Sequence, residues 1–82
     1  MSLHGYHVSV NISAKDHPFE SLVMAAMRKA DTVNGARLAL AFPEVHRELR
    51  ARYDAPLGVI PEDGEIDMDA LAESVRELRG QA

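Results

Sequence analysis

The sequence predicts a small α+β domain that is mostly helical, in which one N-terminal strand lies against three or four short helices. Three observations predict this class. One stretch alternates apolar and polar residues, several stretches carry apolar residues at helical spacing, and proline and glycine mark the boundaries between them. The 82 residues are enough for a single domain, residues 1–82, and leave no room for a second core.

The strand prediction rests on residues 6–12, YHVSVNI, where apolar and polar side chains alternate. A period of two with β-branched residues is typical of a half-buried strand. A short apolar run at residues 57–60, LGVI, could pair with it as a second strand. The apolar residues that would share one face of the first strand are Tyr6, Val8, Val10 and Ile12.

Two helices are predicted next along the chain. The first covers residues 18–30, where apolar residues recur at helical spacing. Asp31 or Thr32 can cap the second, which runs to about residue 41. Asn34-Gly35 is also the dipeptide most typical of a β-hairpin turn, but the residues around it do not alternate. A helix is therefore favoured there, and the turn is left as the alternative.

Pro43 interrupts the most helical part of the sequence. A proline inside a continuous helix costs about 3 kcal/mol, and it also pushes the preceding residue, Phe42, out of the helical region. Both penalties vanish if Phe42 ends one helix and Pro43 begins the next. We therefore predict a structural corner at Phe42 and Pro43, followed by a helix over residues 43–53, with Phe42 as its buried apolar contact.

The last helix follows a loop rich in proline and glycine at residues 54–66. Asp67 can cap this helix, and Gly80 is its stop signal. Four apolar residues in the helix step by 3, 4 and 3 positions, which is the spacing of a two-heptad seam that can pack on another helix. They are Met68, Leu71, Val75 and Leu78.

Composition excludes several classes of protein. Without cysteine the chain has neither disulfides nor thiolate metal sites. The net charge of −4 disfavours binding to nucleic acid or to an anionic membrane surface. No apolar run approaches the ~20 residues of a transmembrane helix, so we expect no membrane association. The first fourteen residues contain no Lys or Arg, so we do not expect them to act as a secretory signal.

No group of residues predicts catalysis or metal binding. His4 and His7 would point to opposite faces of the predicted strand, and neither has a fixed relation to His17 or His46. No serine lies in a nucleophile-elbow motif, and no glycine loop of the phosphate-binding kind is present. We therefore expect no catalytic residue, no cofactor and no metal, and we expect that the protein is not an enzyme.

The alternative function is nucleic-acid binding by the helix at residues 43–53. Its candidate contacts are Arg47, Arg50 and Arg52, since two short helices joined by a bend can form a helix-turn-helix. Glu44 and Glu48 interleave with these arginines, which favours a salt-bridged face exposed to solvent.

The middle of the chain carries a distinctive run, AFPEV at residues 41–45, followed at intervals by EL, RY, AP and G. It resembles a segment of small proteins of actinobacteriophages or prophages with the pattern A-D-x-x-N-x-x-R-L-x-x-A-F-P-E. The resemblance covers residues 30–61. It departs from the expected pattern at Gly35, where a bulkier residue is expected, and at Leu57, where glycine is expected. The matching residues are Ala30, Asp31, Asn34, Arg37, Leu38, Ala41, Phe42, Pro43, Glu44, Glu48, Leu49, Arg52, Tyr53, Ala55, Pro56, Gly58 and Pro61.

This resemblance implies an origin in a phage or prophage of a high-GC Gram-positive host, and a setting in the host cytoplasm. It implies no activity and assigns no residue a role. Together with the composition, it leads us to expect a non-enzymatic accessory protein that binds itself, most simply as a homodimer, or a host protein. The residues expected to mediate self-association are the apolar face at residues 6–12 and the seam at residues 68–78.

Overall fold

The computed structural model of the protein describes residues 2–80, which are helical with short connections and include no strand. The predicted α+β class is therefore wrong, and the described part of the chain is all-helical. The five α-helices are α1 (Leu3–Ser13), α2 (Phe19–Lys29), α3 (Thr32–Ala41), α4 (Pro43–Tyr53) and α5 (Met68–Gly80), and single 3-10 turns lie at Pro56–Gly58 and Pro61–Asp63.

The predicted strand at residues 6–12 lies inside α1 because it has no partner. Within the LGVI run, Leu57 and Gly58 belong to a 3-10 turn, and no ladder to another segment forms within residues 2–80. An unpaired strand leaves its N–H and C=O groups without partners, whereas a helix satisfies them within the segment. The alternating pattern at residues 6–12 therefore does not set the backbone conformation.

Three serine side chains make local hydrogen bonds to the backbone of α1. Ser2 caps its N-terminus, since its Oγ accepts from the Gly5 N–H at 2.9 Å. The hydroxyls of Ser9 and Ser13 donate to the carbonyls of Tyr6 and Val10 at 2.6 and 2.9 Å. All three contacts join residues three apart, so they need a helical backbone.

The chain divides into two compact units, Met1–Val45 and His46–Ala82. In the first unit, α2 packs on α3 across a two-residue connection. Val23 of α2, at 7% exposure, is the one apolar side chain that is buried among the described residues of this unit. The prediction of one domain over residues 1–82 stays a prediction.

The start of α3 is capped by Asp31, one of the two predicted caps. The Asp31 side chain accepts from the Asn34 N–H at 2.8 Å, and the Gly35 N–H donates to the Asp31 carbonyl at 2.8 Å. Asn34 and Gly35 are thus inside a helix, so the favoured helical alternative is confirmed and the hairpin turn is wrong.

The end of α3 is a sharp change of backbone conformation at Phe42, with φ −131° and ψ 67°. The Phe42 N–H still donates to the Leu38 carbonyl at 2.8 Å, and Pro43 is the first residue of α4. Pro43 has no N–H, and the first turn of a helix requires none. The proline therefore lies between two helices and interrupts neither.

Replacing Gly35 with alanine is expected to raise the free energy of unfolding by about 0.5–1 kcal/mol. The position is helical, and an added Cβ would meet only the Ala30 Cβ at 4.0 Å. Urea denaturation followed by far-UV circular dichroism measures the change. Gly64→Ala is the matched control with the opposite expected sign, because Gly64 has φ +79°. A less stable Gly35→Ala variant would contradict the packing of α3.

The second unit contains most of α4, both 3-10 turns and α5. Leu49 is the one apolar side chain that is buried among the described residues of this unit, and α5 packs on the turn at Pro56–Gly58. The Asp67 carboxylate accepts from the N–H groups of Asp69 and Ala70 at 3.1 and 3.2 Å. The predicted cap of the last helix is confirmed.

Candidate functional site

The most prominent surface feature is α1, whose residues are all exposed. Within the described part of the first unit, α1 packs against neither α2 nor α3. It contains no Asp, Glu, Lys or Arg from Leu3 to Ser13. Its large apolar side chains, between 40% and 75% exposed, are Leu3, Tyr6, Val8, Val10 and Ile12.

These apolar side chains form two rows along α1. Because an α-helix turns about 100° per residue, Leu3, Tyr6 and Val10 lie in one row. Val8 and Ile12 lie in a second row, four residues apart. The predicted strand would have put Tyr6, Val8, Val10 and Ile12 on a single face, so the helix replaces one broad face with two narrow rows.

A polar row separates the two apolar rows on one side of α1. It consists of His4, His7 and Asn11, which are three and four residues apart and therefore share a face of the helix. The expectation that the two histidines point to opposite faces depended on the strand and is wrong. The ring of His7 contacts that of Tyr6 edge to face, with centroids 5.4 Å apart.

On the opposite side of α1, only small side chains lie between the apolar rows. They are Gly5, Ser9 and Ser13, four residues apart. The hydroxyls of Ser9 and Ser13 are already bonded to carbonyls of their own helix. Because successive residues are about 100° apart, the two apolar rows lie on opposite sides of α1, with this row of small residues and the polar row between them.

The other predicted self-association seam is only partly exposed. Leu71 and Val75 are half-buried, whereas Met68 and Leu78 are exposed at 38% and 69%. Since α5 packs on the 3-10 turn at Pro56–Gly58, part of this helix is already used within its own unit. The apolar rows of α1 are therefore the more accessible of the two candidate surfaces.

A second feature is an ion-pair cluster, called here the arginine clasp and formed by Arg52, Asp63 and Gly58. Two nitrogens of the Arg52 guanidinium donate to the two carboxylate oxygens of Asp63 at 2.7 and 2.8 Å. The guanidinium also donates to the Gly58 carbonyl at 2.7 Å. Glu48 lies one turn earlier, with 3.7 Å between its carboxylate and the Arg52 Nε. The clasp ties the loop after α4 back to that helix.

The loop held by the clasp has an unusual backbone. Leu57 adopts φ 52° and ψ 23°, a left-handed conformation that disfavours side chains with a Cβ, and Gly58 follows with φ 72°. Position 57 is also where the phage segment is expected to have glycine. The positive φ supplies a physical reason for that expectation, because glycine adopts this conformation without steric penalty.

The arginine clasp engages one of the three predicted nucleic-acid contacts, Arg52. Arg47 and Arg50 are exposed, whereas Arg52 is half-buried and bonded to Asp63 and Gly58. A guanidinium held in a bidentate ion pair has few donors left for a phosphate. The arginines with a free approach to a nucleic acid are thus Arg47 and Arg50.

The pKa of Asp63 is lowered from 3.8 to about 2. The main cause is the hydrogen bond from Arg52, and the hydrogen bond from the Ile60 N–H contributes next. A depressed pKa means that the stabilisation by Asp63 is complete above about pH 4 and is lost as the pH falls toward 2. We expect Arg52→Ala to melt at a lower temperature than the parent at pH 7, with the difference shrinking between pH 4 and pH 2. Thermal unfolding across this range measures it.

The control for the clasp is Glu48→Gln, which removes only the long, partly exposed contact at 3.7 Å. Its melting temperature should stay close to that of the parent. A difference between Arg52→Ala and the parent that is the same at pH 7 and pH 2 would contradict a role for the Asp63 carboxylate.

Membrane-spanning helices and metal-binding groups were both sought within the described residues. None of the helices within residues 2–80 is long and apolar enough to cross a membrane. Across the same residues, no group of three or more His, Asp or Glu side chains comes together in a way that could hold a metal ion.

Comparison with known proteins leaves the family open. No protein-family model matches the chain, and neither a curated protein nor a solved structure is significantly similar to it. The resemblance to the phage segment therefore stays a prediction.

Proposed function

We propose that this protein is a non-enzymatic accessory protein that acts by binding another protein chain, either a second copy of itself or a host protein. The observation that carries the proposal is α1, an uncharged helix with every residue exposed and five large apolar side chains on its surface. Exposed apolar surface of this kind is typical of a protein-binding site.

The length of α1 supports the same proposal. Isolated helices shorter than about 12–15 residues are marginal in water, and α1 has 11 residues. Three of its residues, Val8, Val10 and Ile12, are β-branched and lower the intrinsic helix propensity. A partner that covers one of the apolar rows would therefore supply stabilisation that the helix lacks within its own unit.

The remaining parts of the proposal rest on the sequence. The absence of a catalytic role is proposed from residue types and spacing, which form no nucleophile or metal motif. The phage or prophage origin and the host-cytoplasm setting are proposed from the resemblance over residues 30–61.

Nucleic-acid binding is the less supported candidate. It would depend on Arg47 and Arg50, which are exposed on α4, against a net charge of −4. A gel-shift titration near 150 mM salt separates the candidates. We expect no sequence-selective complex below the micromolar range, since non-specific affinity is typically about 10⁻⁴–10⁻⁶ M. Tight selective binding that is lost in Arg47→Ala and Arg50→Ala would favour the nucleic-acid function.

The protein-binding proposal is tested by two measurements on the full chain. Light scattering reports self-association, and affinity capture from an actinobacterial lysate reports host partners. We expect at least one of them to be positive and to depend on the row of Leu3, Tyr6 and Val10, so that Val10→Arg abolishes it. A chain that stays at 9.0 kDa and captures no protein in a manner sensitive to Val10→Arg would overturn the proposal.

A further inference from the structure

We propose that Asn34 is a site of spontaneous deamidation, which the first turn of α3 shields and which proceeds when that turn opens. Asparagine followed by glycine is especially prone to this reaction, because glycine has no side chain to obstruct the attack of its nitrogen on the preceding amide. The pair Asn34-Gly35 occurs once in the sequence. A modification here is independent of α1 and goes beyond the binding of another protein.

The reaction consumes water and releases ammonia. The Gly35 nitrogen loses its proton to solvent base and bonds to the Asn34 Cγ, and the amide nitrogen takes up a proton and leaves as ammonia. Water then opens the cyclic imide at one of its two carbonyls. Opening at Cγ gives aspartate, and opening at the backbone carbonyl gives isoaspartate. Either product adds one carboxylate, so the net charge changes from −4 to −5 at neutral pH.

In the structure, the attacking nitrogen is bonded elsewhere. The Gly35 N–H donates to the Asp31 carbonyl at 2.8 Å, and the Asn34 N–H donates to the Asp31 carboxylate at 2.8 Å. Ring closure requires the Gly35 nitrogen to leave that carbonyl and approach the Asn34 Cγ, so the turn has to open. The Asn34 side chain is exposed, and its Oδ1 makes a long contact of 3.5 Å with the Arg37 guanidinium. The shield is therefore the hydrogen bonding of the turn and not burial of the amide.

The location of the pair favours such opening. Asn34 and Gly35 lie in the first turn of α3, and the ends of helices fray more readily than their interiors. Glycine is also a poor helix former. When opening and closing are fast, the rate of an irreversible reaction follows the population of the open form. The rate of deamidation therefore reports how often the first turn of α3 is open.

Two related positions each lack one of the required properties. Asn11 is exposed, but it precedes Ile12, whose branched side chain obstructs the attack. Asp63 precedes Gly64, but two nitrogens of Arg52 hold its carboxylate in the ionised form, from which oxygen is not readily displaced. The asparagine of α3 is therefore the one expected to react.

The two products differ in their effect on α3. Aspartate keeps the main chain unchanged and puts a negative charge in the first turn of a helix, which is favourable. In isoaspartate the main chain runs through the side chain, which adds one carbon between the Asn34 and Gly35 nitrogens. Their hydrogen bonds to Asp31 then no longer fit the same turn. Since α3 packs on α2, isoaspartate should lower the melting temperature of the first unit.

The test incubates the full chain in mildly alkaline buffer, with and without urea, and follows the products by mass spectrometry. Trypsin places Asn34 in the peptide of residues 30–37 and Asn11 in that of residues 1–15, so the two are measured separately. We expect deamidation of Asn34 in the native chain, and a rate faster by about tenfold or more in urea, where the turn is lost. Asn11 should react far more slowly in both.

Substitution of the cap tests the shield directly. Asp31→Ala removes the cap of α3 and should accelerate deamidation of Asn34 in native buffer by about fivefold. Asp67→Ala removes the cap of α5 in the other unit, so it is the matched control and should leave the rate unchanged. Circular dichroism checks the helical content of both variants. If Asp31→Ala unfolds the chain, its rate in buffer should equal that of the parent in urea.

Gly35→Ala tests the chemistry, because the added methyl group obstructs the attack. It should slow deamidation in urea as well as in buffer. Equal rates for the parent in buffer and in urea, or equal rates for Asp31→Ala and Asp67→Ala, would overturn the shielding by the first turn. A native chain without product at Asn34, or a Gly35→Ala variant that reacts as fast as the parent in urea, would overturn the site itself.

Discussion

Replacing Leu49 with alanine is expected to lower the free energy of unfolding of the second unit by about 2–5 kcal/mol. Leu49 is 8% exposed, and it is the one buried apolar side chain that the structure describes in that unit. The change removes buried methyl groups and leaves a cavity, so the transfer and cavity contributions add. Stabilities of small domains are only about 5–15 kcal/mol, so this is a large fraction of the total.

Chemical denaturation followed by circular dichroism measures the effect of Leu49→Ala. Leu40→Ala is the matched control, because the same atoms are removed from a side chain that is 85% exposed. Leucine and alanine have similar helix propensities, so the control should change the stability by less than about 0.5 kcal/mol. Equal effects of the two substitutions would show that Leu49 is not buried in solution.

Replacing Phe42 with alanine is expected to lower the free energy of unfolding by about 1–3 kcal/mol. The sequence alone predicts a fully buried side chain, whose loss costs about 3–5 kcal/mol. In the structure Phe42 is half-buried, and its ring meets that of Phe19 edge to face with centroids 6.0 Å apart. The smaller expected effect follows from the smaller area that Phe42 removes from water.

A double-mutant cycle with Phe19→Ala isolates the contact between the two rings. We expect a coupling energy of about 0.5–1.5 kcal/mol, because edge-to-face aromatic pairs contribute this much beyond the burial of their area. Effects of Phe19→Ala and Phe42→Ala that add to within about 0.3 kcal/mol would contradict a stabilising contact.

The helices after residue 17 could be predicted from the sequence because their signals are local. Asp31 and Asp67 cap the helices that follow them by accepting from N–H groups two or three residues away. Pro43 marks a boundary because its ring and missing N–H act on the adjacent turn. Such interactions depend on neighbouring residues and on no distant part of the chain.

The arginine clasp could not be predicted in the same way. The sequence predicts Arg52 as a nucleic-acid contact or as part of a salt-bridged face with Glu44 and Glu48. In the structure it meets Glu48, but its bidentate partner is Asp63, eleven residues away. Between them the chain passes through two 3-10 turns and a left-handed Leu57. The approach of Asp63 to Arg52 depends on the path of that loop, for which residue types alone give no signal.

The sequence by itself determined where α3 to α5 begin, the start of α2 to within one residue, and the corner between α3 and α4, because caps, helical spacing and proline act within one turn. It also determined that α1 carries apolar side chains and no charge. Only the tertiary structure decided the conformation of that segment. An alternating stretch becomes a strand when a second strand pairs with its backbone groups, and residues 57–60 turn instead of pairing. Without such a partner, the backbone of α1 bonds to itself, and its apolar side chains stay on the surface.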